Sequence, residues 1–294
     1  MDYKSKVNDI LTRYGLDFSI EKAPLRAITA AGNEVITPYF ALINSKTNEA
    51  INTVKAGYGV SQNDELVEMI LRGAESFSTE LKVTKAGSIH GGRRVFMQMG
   101  INGLSKVAGD TIQRFVTIID SNDGSTSLSV GIGDEWMHCE NQFYKFYAAG
   151  DAKFRHTATI QEKIKSIPKL IETALIESMR QIQQYKKFES TELTKALANQ
   201  LVNAVLGYDR SMSKDDLAKM KPRSVDMMDT LYGNIETEVE ALGNNMLAAF
   251  NGVTRFTTHH TAKPKRDNGG IESMLVGNSY KKNIIALDFC EAHS

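Results

Sequence analysis

The sequence predicts an α+β fold, with an antiparallel sheet and its hairpins in the N-terminal half and a helical C-terminal half. Three observations carry this. From Phe18 to about residue 132, apolar and polar residues alternate in short runs, separated by turn formers such as Ala30-Ala31-Gly32-Asn33, Asn44 to Glu49 and Asp120 to Ser125. After Trp136 the apolar spacing lengthens to the helical period. Strands precede helices rather than alternating with them, which argues against a doubly wound parallel sheet. The change near residue 150 divides the chain into a sheet-rich α+β core, 1–150, and a helix-rich region, 151–294, leaving open whether the second packs on the first as one unit.

Residues 3–14 form a short helix with Val7, Ile10 and Leu11 on one face and Gly15 as its stop. Strands follow at 18–22, 25–30, 34–43 and 50–56. Asn63 or Asp64 caps a helix carrying Leu66, Val67, Met69, Ile70 and Leu71, which Gly73 ends or interrupts. Four more strands are expected at 79–87, 92–101, 111–120 and 126–132. Between the last two, Asp120-Ser121-Asn122-Asp123-Gly124-Ser125 is a hairpin turn, because Asn, Asp and Gly tolerate positive φ. Gly103 to Asp110 reads as a longer loop. A helix is expected over 138–149, and Thr157 to Tyr185 repeats apolar residues at helical spacing, with Pro168 marking a kink or a start near 166. Further helices fit 190–205, a capped start at Ser213 to Leu217, 225–250 and 278–289, with a polar loop from Thr257 to Gly270 carrying Lys263, Lys265 and Arg266.

With 35 Lys plus Arg against 35 Asp plus Glu the net charge is zero, which excludes a histone-like or polybasic class. No run of about 18 uncharged apolar residues occurs, and MDYKSKVNDI has neither a positive n-region nor an apolar h-region, so a cytoplasmic protein without a membrane partner is expected. Cys139 and Cys290 lack the spacing of a zinc knuckle and read as buried reduced thiols. His138 is adjacent to Cys139, but neighbours on a strand face opposite ways, which disfavours a Cys–His nucleophile.

No P-loop occurs, and neither Gly91-Gly92 nor Gly57-Tyr58-Gly59 completes a dinucleotide fingerprint, so no cofactor is expected. Asp120, Asp123, Asp134 and Glu135 could hold Mg²⁺ for a metal-dependent nuclease, but Asp120, Asn122, Asp123 and Gly124 already have a turn explanation. His259 and His260 lack an HExxH frame and read as solvated or capping residues, so no metal site is expected.

The stretch AGSIHGGRRVF, Ala86 to Phe96, is the centre of the functional reading. A glycine pair makes a tight turn that aims Arg93 and Arg94 from the start of a strand, the alternative being a plain hairpin with two solvated guanidiniums. Lys82, Lys85 and His90 lie nearby, although regular alternation puts Lys82 and Lys85 on opposite faces. A second basic cluster runs from Lys145 through Lys153, Arg155, His156 and Lys163 to Lys169, with Tyr144, Phe146, Tyr147 and Phe154 interleaved as stacking or core residues.

The runs GYGVSQNDELVEMI, KAGSIHGGRRVFMQM, DSNDGSTSLSVG, HCENQF and FRHTATI, with TLYGNIETEVEALGN and GGIESMLVGNSYKKNIIAL later, resemble a phage/plasmid-like protein family, a domain of unknown function carried by prophages, phages and conjugative elements. The chain departs from that pattern at Glu140-Asn141, where the family has an asparagine pair. The resemblance implies a mobile-element origin and a bacterial host cell, without an established activity. The order helix, antiparallel strands, long helix is also similar to the core of single-strand annealing recombination proteins, which form rings or filaments and lay single-stranded DNA in a basic groove.

The expected function is therefore non-enzymatic. The protein binds single-stranded DNA and promotes annealing in recombination as a homo-oligomer, with Arg93 and Arg94 on phosphates and Lys85, Lys153, Arg155 and Lys163 extending the track. The rival classes are a module that binds a host or phage protein to interfere with a defence system, and the metal-dependent nuclease.

Overall fold

The computed structural model describes residues 3–75, 82–146, 153–209, 216, 219–261 and 269–294. Helix α1 (Tyr3–Arg13) buries Val7 and Leu11, an i,i+4 pair, and Gly15 at φ 65° ends it. Strands β1 (Ile20–Ile28), β2 (Glu34–Asn44) and β3 (Ala50–Lys55) form an antiparallel sheet in that order. The two strands expected at 18–22 and 25–30 are one. The break is absorbed as an irregularity, the register with β2 slipping between Pro24 and Arg26, as an edge strand carrying proline allows.

Helix α2 (Asn63–Glu75) runs through Gly73. A side chain there would meet Ile171 Cδ1 at 2.5 Å and the Pro168 backbone at 3.1 Å, so the glycine serves close helix packing, not termination. The larger sheet comprises β4 (Lys82–Ile89), β5 (Arg94–Gly100), β6 (Ser105–Val107), β7 (Asp110–Ser121), β8 (Leu128–Trp136), β9 (Gln142–Phe146) and β10 (Lys153–Phe154). Its path is β10-β8-β7-β5-β4, with β6 added to β7 and β9 to β8. The expected strand start at 79–81 lies outside the described residues. On edge strand β4 the register slips between Val83 and Lys85, so Lys82 opposes Gly100 and Lys85 opposes Gln98. The slip places both lysines on one face, against the expectation from regular alternation.

The helix expected over 138–149 is instead a turn and a strand. Glu140 takes φ 55°, and β9 pairs with Gly131 to Glu135 of β8. Both faces of β9 are covered, Phe143 by one apolar cluster and Tyr144 by another, which removes the polar alternation that marks a strand. Residues 147–149 lie outside the described ones.

The helices are α3 (Ile160–Ile164), α4 (Ile167–Glu189), α5 (Lys195–Leu206), α6 (Pro222–Leu242), α7 (Met246–Arg255), α8 (Gly269–Leu275) and α9 (Asn278–Ala292). Pro168 sits in the first turn of α4, deciding for a helix start. The single helix expected over 225–250 is two, because Gly243 turns to φ 87° and Asn245 caps α7 by accepting from the Ala248 amide at 2.9 Å. The loop expected from Thr257 begins as a π-helical turn, Phe256–Thr261, continuing α7. Residues 262–268, with Lys263, Lys265 and Arg266, and the expected start at 213–215 lie outside the described residues.

One face of the larger sheet, through Val95, Met97, Met99, Val116 and Ile118, packs on α2 and the first half of α4. The second half of α4 continues past Ile112 and Trp136 to a cluster with α5, α6, α7 and α9. On the other face α8 sets Met274 and Leu275 over Phe96, Ile119 and Tyr144. The described helices include none long and apolar enough to cross a membrane.

Candidate functional site

The β4–β5 turn, His90 to Arg93, holds three successive residues in the left-handed region: His90 at φ 53°, Gly91 at 67° and Gly92 at 94°. A side chain at Gly92 would meet Asn44 Nδ2 at 2.8 Å and Phe18 Cζ at 2.9 Å. Two buried asparagines fasten the turn. Asn44 Nδ2 donates to Gly91 O at 3.1 Å, Asn122 Nδ2 to Gly92 O at 2.8 Å and the Asn122 amide to Arg93 O at 2.7 Å. With three consecutive carbonyls held, the exposed Arg93 side chain leaves from a preset backbone, beside a groove of about 460 Å³ shared with Glu49, Ile51 and His90.

Arg94 is placed differently. Its guanidinium forms an ion pair with Glu272 of α8 and donates from Nε to Ser125 Oγ at 2.9 Å, while His90 Nε2 lies 2.8 Å from the other Glu272 oxygen. Arg94 thus fastens α8 to the end of the sheet. Lys153 and Arg155 are exposed at the same end, because Lys153 and Phe154 pair with Ser129 and Leu128, the first residues of β8. Three interstrand steps separate β5 from β10, about 14 Å at the usual strand spacing. Lys85 is exposed further along β4, and Lys163 on α3 reaches Thr157 Oγ1 at 3.4 Å. The geometry therefore brings Arg93, Lys153 and Arg155 to one end, with Lys163 reaching the segment that follows Arg155, and leaves Lys85 away from it. Of the interleaved aromatics, Tyr144 and Phe154 are core and Phe146 leans on Tyr280, while Tyr147 lies outside the described residues.

Beneath this end lies a buried ion pair. His156 Nε2 is 2.8 Å from Asp120 Oδ1 and Nδ1 is 3.1 Å from Gly59 O, with Ser61 Oγ donating to the second Asp120 oxygen and Tyr58 stacked on the imidazole at 5.1 Å and 5°. Both ring nitrogens face acceptors, so both carry hydrogen and the ring is an imidazolium. Burial works against that charge, but the Asp120 hydrogen bond and charge, with the Gly59 carbonyl, raise the His156 pKa above its ordinary value. Serine, aspartate and histidine here are not wired for acyl transfer. Ser61 gives its proton to Asp120, and no ring nitrogen remains to accept one. The pair ties the end of β7 to the segments before α2 and α3.

The other acids also have partners. Asp123 Oδ1 accepts from the Ser125 amide at 2.9 Å, and Glu135 from Gln142 Nε2 at 3.2 Å. Burial pushes Asp134 up to about 6, against the Tyr185 hydroxyl donating at 2.8 Å and the charge of Arg114. Among the described residues no group of three or more His, Cys, Asp or Glu is placed to hold a metal.

A second constellation joins motifs far apart in sequence. The turn His138-Cys139-Glu140-Asn141 meets α6, α7 and the π-helical turn around a cleft of about 800 Å³. Asn141 Nδ2 donates to Glu238 Oε1 at 3.0 Å, Arg255 donates to the same oxygen at 3.2 Å, and His259 Nε2 donates toward Cys139 O at 3.1 Å and Asn141 Oδ1 at 3.2 Å. Burial, then Glu238 and Asp110, push the Cys139 thiol up to about 12, so it is no nucleophile at neutral pH. His260 stands apart, stacked on Phe256. Asn44, Asn122, Asn141, Glu238 and Arg255 were not legible as site residues. Asn44 and Asn122 show in the sequence only as turn formers, and nothing local marks Glu238.

No curated protein and no solved structure matches the chain. One family model, described as Domain of unknown function (DUF932), matches residues 50–275, which takes in the β4–β5 turn, the Asp120–His156 pair and the cleft at Glu238. With most of its length matched, from β3 to α8, the chain belongs to the DUF932 family.

Proposed function

We propose that the protein binds single-stranded DNA at the loop-bearing end of its larger sheet and, as a mobile-element protein, promotes annealing of complementary strands as an oligomer. The observation that carries the reading is the fixed turn presenting Arg93, with Lys153 and Arg155 exposed at the same end. A preset backbone under Arg93 spares the ordering of the turn on meeting phosphates, and displacement of counterions drives such binding. Arg94 supports the surface indirectly, by holding α8 in place. Annealing breaks no bond, and the carboxylates a nuclease would need are each committed to other partners.

Asp123, on the turn between Arg93 and the β10 end, opposes phosphate binding. Fluorescence anisotropy of a labelled oligothymidine at two salt concentrations, with a duplex control, tests the reading. Wild type is expected to prefer the single strand and to weaken with salt. Arg93→Ala is expected to bind less tightly, with the slope of log affinity against log salt reduced by about 0.7 for one lost phosphate contact. Asp123→Asn is expected to tighten binding. Absence of binding at low salt would remove the DNA reading and favour the host- or phage-protein partner.

A further inference from the structure

We propose that the cleft between the β8–β9 turn and helices α6 and α7 is a binding site for an alkylammonium or guanidinium group, with Glu238 as its counter-ion. This site is separate from the loop-bearing end of the sheet and does not depend on the DNA reading.

The cleft volume, about 800 Å³, is that of a small-molecule site. Glu238 lines it, yet its side chain is only 4% exposed. A carboxylate taken out of water needs its lone pairs satisfied, and it offers about four acceptor positions. Both hydrogen bonds to Glu238, from Asn141 and Arg255, reach Oε1; among the described residues Oε2 receives none, and it is open to water in the cleft. A donor entering the cleft would complete the set.

The surrounding charge selects its sign. Asp110, Glu140 and Glu238 line the cleft with Arg255 and the imidazoles of His138 and His259, so three carboxylates face one guanidinium and two imidazoles. Burial is the largest cause of the upward shift of the Cys139 thiol and the Asn141 backbone amide opposes it, while the charges of Glu238 and Asp110 add to it and that of Arg255 lowers it. An anion would be repelled. A divalent metal lacks its cluster of ligands among the described residues. An organic cation differs in carrying several N–H donors on one group, which can span separated acceptors. His259 and Asn141 hold the turn and the carboxylate in position beforehand, so little ordering is required on binding.

The test is calorimetric titration of the full chain at low salt with two probes: agmatine, and the blocked tripeptide acetyl-Gly-Arg-Gly-amide. Saturable binding at about 1 mM or tighter is expected for at least one probe. Agmatine alone would mark a free amine as the ligand type, and binding of the tripeptide as well would mark the basic side chain of a protein partner. Glu238→Gln is expected to weaken binding about tenfold or more, since a charge-assisted bond is lost while the Asn141 contact can persist. Asp110→Asn with Glu140→Gln, which leaves the buried network in place, is expected to weaken it about threefold and to flatten its salt dependence. Failure of both probes to bind wild type, or equal binding by wild type and Glu238→Gln, overturns the proposal.

Discussion

His156→Ala is expected to destabilise the protein by about 3–5 kcal/mol, the cost of stranding one member of a buried ion pair. The side chains of His156 and Asp120 are 4% and 1% exposed, so the remaining carboxylate would keep only the Ser61 hydroxyl. The loss should depend on pH with a definite sign. The folded pKa of His156 is raised, so its stabilisation is complete below the unfolded value of about 6.5. Above that point the unfolded chain sheds the proton while the folded one keeps it, and stability falls until pH passes the folded pKa. Asp134, raised to about 6, gives a second decline at lower pH, between its ordinary value and about 6. Urea unfolding of wild type and His156→Ala between about pH 6 and 9 separates the two. Wild type should lose stability across that window and the variant should not; parallel curves would remove His156 from the account.

Phe250→Ala is expected to cost a similar amount, about 3–5 kcal/mol for a fully buried phenyl ring. Phe250 of α7 packs edge-on against Phe143 of β9 at 5.2 Å and lies 5.7 Å from Tyr185 and 6.1 Å from Phe188, both on α4. It is where the sheet and the helical layer share one core. Trp136, the single tryptophan, is buried in that cluster at 5.6 Å from Tyr185 and reports on it directly. Tryptophan fluorescence and far-ultraviolet circular dichroism should therefore shift together in the variant. A shift in the dichroism midpoint alone would mean that helices and sheet unfold as separate units.

The structure explains why some readings needed the fold. Pro168 left a kink and a helix start both open, and the choice came from α4 beginning where Gly73 of α2 lets it approach. Lys82 and Lys85 share a face only because the register slips between Val83 and Lys85, which alternation does not signal. His156 read as one more residue of a basic stretch, and its burial against Asp120 depends on β7 and β10 meeting β8 from its two sides.

What the sequence determined by itself is the α+β class, the order of strands before helices and the tight turn at Gly91-Gly92. These rest on preferences that act within a few residues: apolar periodicity and the tolerance of glycine for positive φ. Only the tertiary structure decided that Arg94 is tied to Glu272 while Arg93 stays exposed, and that residues 142–146 form a strand. It alone also joined Asn141 to Glu238 and His259, which lie 97 and 118 residues away. Pairing and burial are set by distance in space, and local preference carries no information about which distant carboxylate will arrive beside a given side chain.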